Sequence, residues 1–134
     1  MARIAHVVAS SSTGYAQSMR ARRHEIRADE SERAGGTDTG PNPTELLLSA
    51  LGACTSITLR MYAQRKGWEL GAIEVDLEFF KEDDGTRIER EIAFTAPLTD
   101  EQRARLAEIA EKTPVTRTIR EGSRIETVIH SGSV

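Results

Sequence analysis

The run PTELLLSALGACTSITLRMYAQRK, from Pro43 to Lys66, limits the fold more than any other part of the chain. Leu46, Leu47, Leu48, Leu51, Ala53, Ile57, Leu59, Met61 and Tyr62 point in nearly every direction around a helical repeat. A helix that is apolar all round must be covered on several sides. At about 1.5 Å per residue it is roughly 36 Å long, the width of a small domain. It therefore runs through the molecule or packs against a second subunit. Its ends are specified locally. Asn42 is a good N-cap, Pro43 suits the first helical position, and Glu45 stands where a capping-box carboxylate returns to the N-cap amide. Arg65 and Lys66 fall in the last turn and Gly67 follows as the C′ residue.

Near the middle of this run is Cys54, the only cysteine in 134 residues. Gly52 just before it costs the helix roughly 1 kcal/mol relative to alanine. The run is thus either two helices meeting at Gly52 or one helix with close backbone packing there. In the first case Cys54 lies in a first turn, where free N–H groups favour a thiolate. In the second, an arginine from elsewhere must do that work. The commonest role of a lone buried cysteine is that of a small hydrophobe.

Around this helix the chain reads as strands and one further helix. Ile4 to Ala9 alternates well enough for a first strand, with Ser10 to Gly14 as its turn. Gln17 to Ala28 reads as a second strand with poor alternation, and its arginines Arg20, Arg22, Arg23 and Arg27 fit a solvated or edge position. Asp29 to Asn42 is a loop, long enough to be functional or mobile. Ile73 to Phe80 and Thr86 to Phe94 form a hairpin about the turn Glu82-Asp83-Asp84-Gly85. Arg90 falls on the face of Ile88, Ile92 and Phe94, which calls for a bulge or an edge position. Thr99 and Gln102 open a second helix that Pro114 stops, and Ser123 to His130 alternates as a last strand. The order argues an α+β fold with a largely antiparallel sheet in one domain, residues 1–134.

Composition removes several functions. A net charge of -3 offers no general attraction to nucleic acid or to an anionic membrane. No apolar run is free enough of charge to read as a bilayer span, and the N-terminus lacks a secretory apolar core. One cysteine cannot form an internal disulfide, which suits a reducing cytoplasm. His6, His24, His130 and Cys54 show no zinc-ligand spacing, and there is no P-loop, dinucleotide fingerprint or nucleophile elbow. Neither metal nor cofactor is expected.

GPNPTELLLSALGACTSITLRMYAQRKGWEL resembles the signature of the OsmC/Ohr family, and more narrowly its OsmC-like branch. The upstream RHEIRADE and GGTDTGPNP segments, the hairpin IERE and the later EQRARLAEIAEKTPVTRTI extend the likeness over nearly the whole chain. The resemblance implies an intertwined α+β homodimer whose central helices are sandwiched by sheet from both chains. It also implies a thiol peroxidase that reduces small organic hydroperoxides at the subunit interface. Cys54 matches the peroxidatic position. The family's second cysteine stands in a Cys-Pro-Val-His motif, which here reads Thr113-Pro114-Val115-Thr116. The resolving thiol and the adjacent histidine are therefore replaced, and a low-molecular-weight or protein thiol must supply the reductant. A glutamate that follows Asn-Pro directly in the family is here displaced to Glu45, behind Thr44. Arg27 and His24 are the nearest candidates, by order, for a thiolate-activating or substrate-contacting role. The rival expectation is a non-catalytic dimer of this fold that binds a small apolar ligand at its interface.

Overall fold

The computed structural model describes residues 1–132 and divides them into two compact units. The first contains Met1–Ala50 and Leu77–Arg90; the second contains Leu51–Asp76 and the chain from Glu91 onward.

In the first unit, β1 (Val8–Ser10), β2 (Gln17–Ala21) and β3 (His24–Ala28) form an antiparallel sheet in that order. Ala9 pairs with Met19 and Met19 with Ile26, giving one apolar row, whereas Arg20 pairs with Glu25 and Ser18 with Arg27 on the other face. The single strand expected over Gln17–Ala28 is therefore a hairpin, turning at Arg22 and Arg23. Arg22 takes the left-handed conformation (φ 55°) that glycine or asparagine usually signals. The turn also explains the poor alternation. Inward positions are odd-numbered before it and even-numbered after it, so a single strand cannot accommodate both. The first strand begins at Val8 rather than Ile4.

The loop from Asp29 to Asn42 closes on itself. The Asp29 amide donates to the Pro41 carbonyl (3.0 Å) and the Asp38 amide to the Glu30 carbonyl (3.0 Å). A 3-10 turn at Glu32–Ala34 is capped by Ser31. Gly36 passes so close to Glu30 that a Cβ there would lie 2.2 Å from its carbonyl oxygen.

Helix α1 (Pro43–Lys66) is one continuous helix of 24 residues, without a break at Gly52. Asn42 Oδ1 accepts from the Glu45 amide (2.8 Å) and Glu45 Oε1 accepts from the Asn42 amide (2.9 Å). This is the reciprocal capping box. Gly67 ends the helix at φ 70°, and the Trp68 amide returns to the Ala63 carbonyl (2.9 Å). By length and mean hydropathy α1 reaches the level of a bilayer span. Leu59 and Ala63 of its buried stripe pack into the protein core.

β4 (Ile73–Glu82) and β5 (Gly85–Phe94) form a two-stranded sheet with no bulge. A two-residue connection sets Glu82 opposite Gly85. The Arg87 guanidinium 4.9 Å over the Phe80 ring and the Thr95 amide donating to the Ala72 carbonyl fit the same register at both ends. Arg90 consequently stays on the apolar face, half-buried and with no bulge to turn it outward, and it has the edge position expected for it, because β5 belongs to a sheet of only two strands.

In the second unit Leu59 and Ala63 of α1 pack with Leu70 and with Leu106 and Ala110 of α2 (Asp100–Ala110). Tyr62, Trp68, Ile73, Ile92, Phe94, Leu98 and Ile109 surround this core. The Thr99–Gln102 capping box opens α2. Arg105 Nε donates to the Tyr62 hydroxyl (2.8 Å), joining α2 to α1. Pro114 does more than stop α2. With Thr113 as N-cap it opens a further helix, α3 (Pro114–Glu121). Beyond Gly122 the strand expected over Ser123–His130 does not form. Ile125, Val128 and Ile129 stand 86%, 80% and 86% exposed, and among the described residues no strand pairs with them.

Candidate functional site

Cys54 lies in the middle of α1, and the helix surface around it has two distinct faces. Leu51, Thr55, Leu59 and Ala63 recur every four residues and are buried. Thr55 satisfies its hydroxyl by donating to the Leu51 carbonyl (2.7 Å). On the far side Leu47, Ala50, Cys54, Ile57 and Met61 recur at intervals of three and four, the spacing of a helix seam. Leu47, Ile57 and Met61 are 42%, 59% and 51% exposed. Cys54 is half-buried within this seam, and its Sγ lies 4.0 Å from Thr58 Oγ1, at the outer range of a weak hydrogen bond.

Glu45 cannot serve this thiol from its own helix. Nine residues carry the helix through about 900°, or half a turn net, and about 13.5 Å along the axis. Glu45 thus emerges on the side opposite Cys54, and its carboxylate is held by the Asn42 amide. Arg27 and His24 are separated by strand alternation. His24 pairs with Ala21 on the apolar face of the sheet, whereas Arg27 projects from the other face, 3.7 Å from Glu25. Both partners of that ion pair are at least half exposed, so it contributes little. His24 and Arg27 therefore do not converge on one point.

Thr113, where the resemblance sets the family's second cysteine, is fully buried at the N-cap of α3. Its Oγ1 lies 2.7 Å from Thr116 Oγ1 and accepts from the Thr116 amide (3.3 Å). Thr116 Oγ1 in turn donates to the Ala110 carbonyl (3.3 Å). Two hydroxyls thus fasten α2 to α3.

Sequence reasoning missed Asp29. Its side chain is buried, and Oδ2 accepts from Thr37 Oγ1 (2.6 Å), Thr39 Oγ1 (2.8 Å), the Thr39 amide (3.1 Å) and the Thr37 amide (3.3 Å). Oδ1 accepts from the Glu30 amide (2.7 Å). The Thr37 hydroxyl, then the Thr39 amide and hydroxyl, hold this carboxyl well below the usual carboxylate range, against burial, which pushes it up. A shallow hollow of about 370 Å³ lies beside it, between Tyr15, Gln17, Glu30 and Pro43. Two threonines spaced around an aspartate in GGTDTG, with Asp29 at the far end of the loop, were the available signal.

An α+β chain with antiparallel sheets, three helices and a lone thiol on the longest of them shares its fold with solved proteins of the OsmC and Ohr class. The match to an OsmC-like protein of Mycoplasma pneumoniae has a TM-score of 0.78 at 17% identity and covers 91% of both chains. A putative osmotic stress induced and detoxification response protein of Psychrobacter arcticus matches with a TM-score of 0.77 at 17% identity, over 88% of this chain and 90% of the other. The organic hydroperoxide resistance protein OhrB of Bacillus subtilis matches with a TM-score of 0.61 at 23% identity, over 90% and 93%. At such identities the likeness establishes the fold alone. A search of curated proteins finds no match. The family model described as OsmC-like protein matches residues 36–128, well over half the chain. This chain belongs to the OsmC-like family.

Proposed function

We propose that the protein is a homodimeric, one-cysteine peroxidase for organic hydroperoxides, working in the reducing cytoplasm. The observation that carries this reading is the position of Cys54, half-buried in an apolar seam that the chain leaves uncovered. A second copy laid on that seam encloses the thiol among Leu47, Ile57 and Met61. The resulting site admits the organic tail of a hydroperoxide and keeps bulk water out. The name of the Bacillus subtilis relative supports the substrate class.

The Cys54 thiolate attacks the distal peroxide oxygen. The O–O bond breaks, the alkoxide takes a proton and leaves as an alcohol, and the sulfur becomes a sulfenic acid. No other cysteine exists in the chain to condense with it. An external thiol therefore forms a mixed disulfide with Cys54 and releases water. A second external thiol then displaces Cys54 as a thiol and leaves as the disulfide, so each hydroperoxide consumes two thiols.

A second reading, a non-catalytic dimer that binds a small apolar ligand in the same seam, is favoured by the closed hydroxyl pair of Thr113 and Thr116. One experiment separates the two. Purified protein is mixed with cumene hydroperoxide and a sulfenic-acid trap, and the Cys54 peptide is followed by mass spectrometry, with Cys54→Ser as control. The peroxidase reading expects trapping at Cys54 at least about a hundredfold faster than oxidation of free cysteine, the scale of a modest catalytic effect. Oxidation at the free-cysteine rate, together with binding of an apolar fluorophore, hands the site to the second reading.

A further inference from the structure

We propose that Thr58 is a positioning residue for the thiol: its hydroxyl donates a hydrogen bond to the Cys54 thiolate and holds that form ready for the hydroperoxide. The inference rests on the peroxidase reading above and names the group within the chain that favours the reactive sulfur.

Because α1 runs unbroken past Gly52, no free helical N–H group is aimed at Cys54. Two of the charged side chains considered for the thiol are engaged elsewhere. Glu45 caps the helix on the side opposite Cys54, and Arg27 stands beside Glu25. Among the described residues the hydrogen-bonding partner of Cys54 Sγ is Thr58 Oγ1, at 4.0 Å.

The direction of that hydroxyl is informative. A serine or threonine inside a helix can satisfy its hydroxyl on the carbonyl four residues back. Ser49 and Thr55 do so, donating to the carbonyls of Glu45 (2.8 Å) and Leu51 (2.7 Å). Thr58 is set against the sulfur instead. Residues four apart share a helix face. Thr55 and Leu59, both fully buried, fix the rotation of the helix and so hold the half-buried Cys54 and Thr58 side by side.

Ionisation decides which way the bond runs. With a neutral thiol either group can donate; once the proton has left, the sulfur only accepts and the hydroxyl donates. A hydrogen bond to the charged form favours that form, and it shortens when its acceptor carries charge. Catalytic hydrogen bonds are often long at rest and tighten in the reacting complex. A second copy laid on the seam also lowers the polarity around the pair, which strengthens the bond.

Alkylation of Cys54 by iodoacetamide across pH, on the full chain, tests this with Thr58→Val, Thr58→Ala and Thr58→Ser beside the parent. The first two remove the hydroxyl, one keeping the branched shape and the other the helix propensity; circular dichroism reports whether they fold. At pH 7 both should alkylate about tenfold more slowly than the parent, the factor that one pH unit in the ionisation produces. At about pH 10, above the ordinary cysteine range, the rates should converge. Thr58→Ser restores the donor and should recover most of the parent's rate at pH 7. Equal rates at pH 7 in the parent and the two hydroxyl-free variants overturn the hydrogen bond. A deficit that persists undiminished at pH 10 also overturns it, since lost access or packing then explains the rates. Loss of the helical signal in both hydroxyl-free variants does the same, because the hydroxyl then serves the fold. Cumene hydroperoxide oxidation of the same proteins separates the two proposals. A parent that reacts no faster than free cysteine overturns the peroxidase, while a pH-dependent alkylation deficit still upholds the bond from Thr58 to Cys54.

Discussion

Asp29 shows how a single side chain sets up a segment that the rest of the chain depends on. Four donors from Thr37 and Thr39 and one from the Glu30 amide converge on its carboxylate, and together they shape the loop that delivers Asn42 and Pro43 to the start of α1. Because hydrogen bonds to the charged form hold its folded pKa below the ordinary value, the stabilisation is fully present above about pH 4 and fades as pH falls further. Asp29→Asn keeps the shape but turns one acceptor into a donor facing other donors. The variant should melt lower than the parent from pH 7 down to about pH 5, and the gap should narrow below about pH 4, where the parent's carboxyl takes up a proton in the unfolded chain but not yet in the folded one. Melting curves across that range check it, and a gap independent of pH would count against the carboxylate as its cause. The capping pair Asn42 and Glu45 was legible in the sequence, because each acts through its neighbours along the chain. Asp29 was not. Its partners lie eight and ten residues away, and no periodicity reports a cage of that kind.

Among the elements, α1 and the β4–β5 hairpin could be read with nearly correct bounds, since a long apolar run and strict alternation are the strongest local signals. The β2–β3 hairpin could not, because its turn uses Arg22 at positive φ instead of glycine or asparagine. α3 was hidden behind Pro114, which reads equally as a stop and as a first helical residue. The register of β4–β5 has an energetic consequence. It sets Asp76 opposite Glu91 and Glu78 opposite Glu89 on the exposed face, and like charges directly across a sheet repel. Arg87 relieves part of this by pairing with Glu82 and Glu89. Glu91→Lys should therefore raise the urea midpoint, by a gain of roughly 0.2–1 kcal/mol at unchanged slope. Measurement at one fixed protein concentration keeps assembly out of the comparison. A lower midpoint would show that the assigned register, or the exposure of that face, is wrong.

For the whole molecule the telling contrast is between two neighbours on α1. Leu59 is fully buried in the core with Leu106, whereas Ile57 is 59% exposed on the seam with Cys54. Both were visible as apolar residues of a helix with no polar face. Only the structure sorts them, because periodicity cannot separate a surface that a chain covers for itself from one left for a partner. If a second copy covers the seam, a charge at residue 57 is harmless within one chain and ruinous between two. Ile57→Glu should retain the helical circular dichroism of the parent and sediment as a monomer at micromolar concentration, with dimer affinity lowered at least about a hundredfold, or some 2.7 kcal/mol. Leu59→Glu, in contrast, should fail to fold, since it buries an unpaired charge. The same Ile57→Glu protein then reports on the thiol. Without the apolar cover Cys54 should lose its excess reactivity toward cumene hydroperoxide, yet remain open to a small alkylating agent. A folded Ile57→Glu protein that still dimerises would place the subunit contact on another surface, and Cys54 would have to draw its reactivity from within one chain.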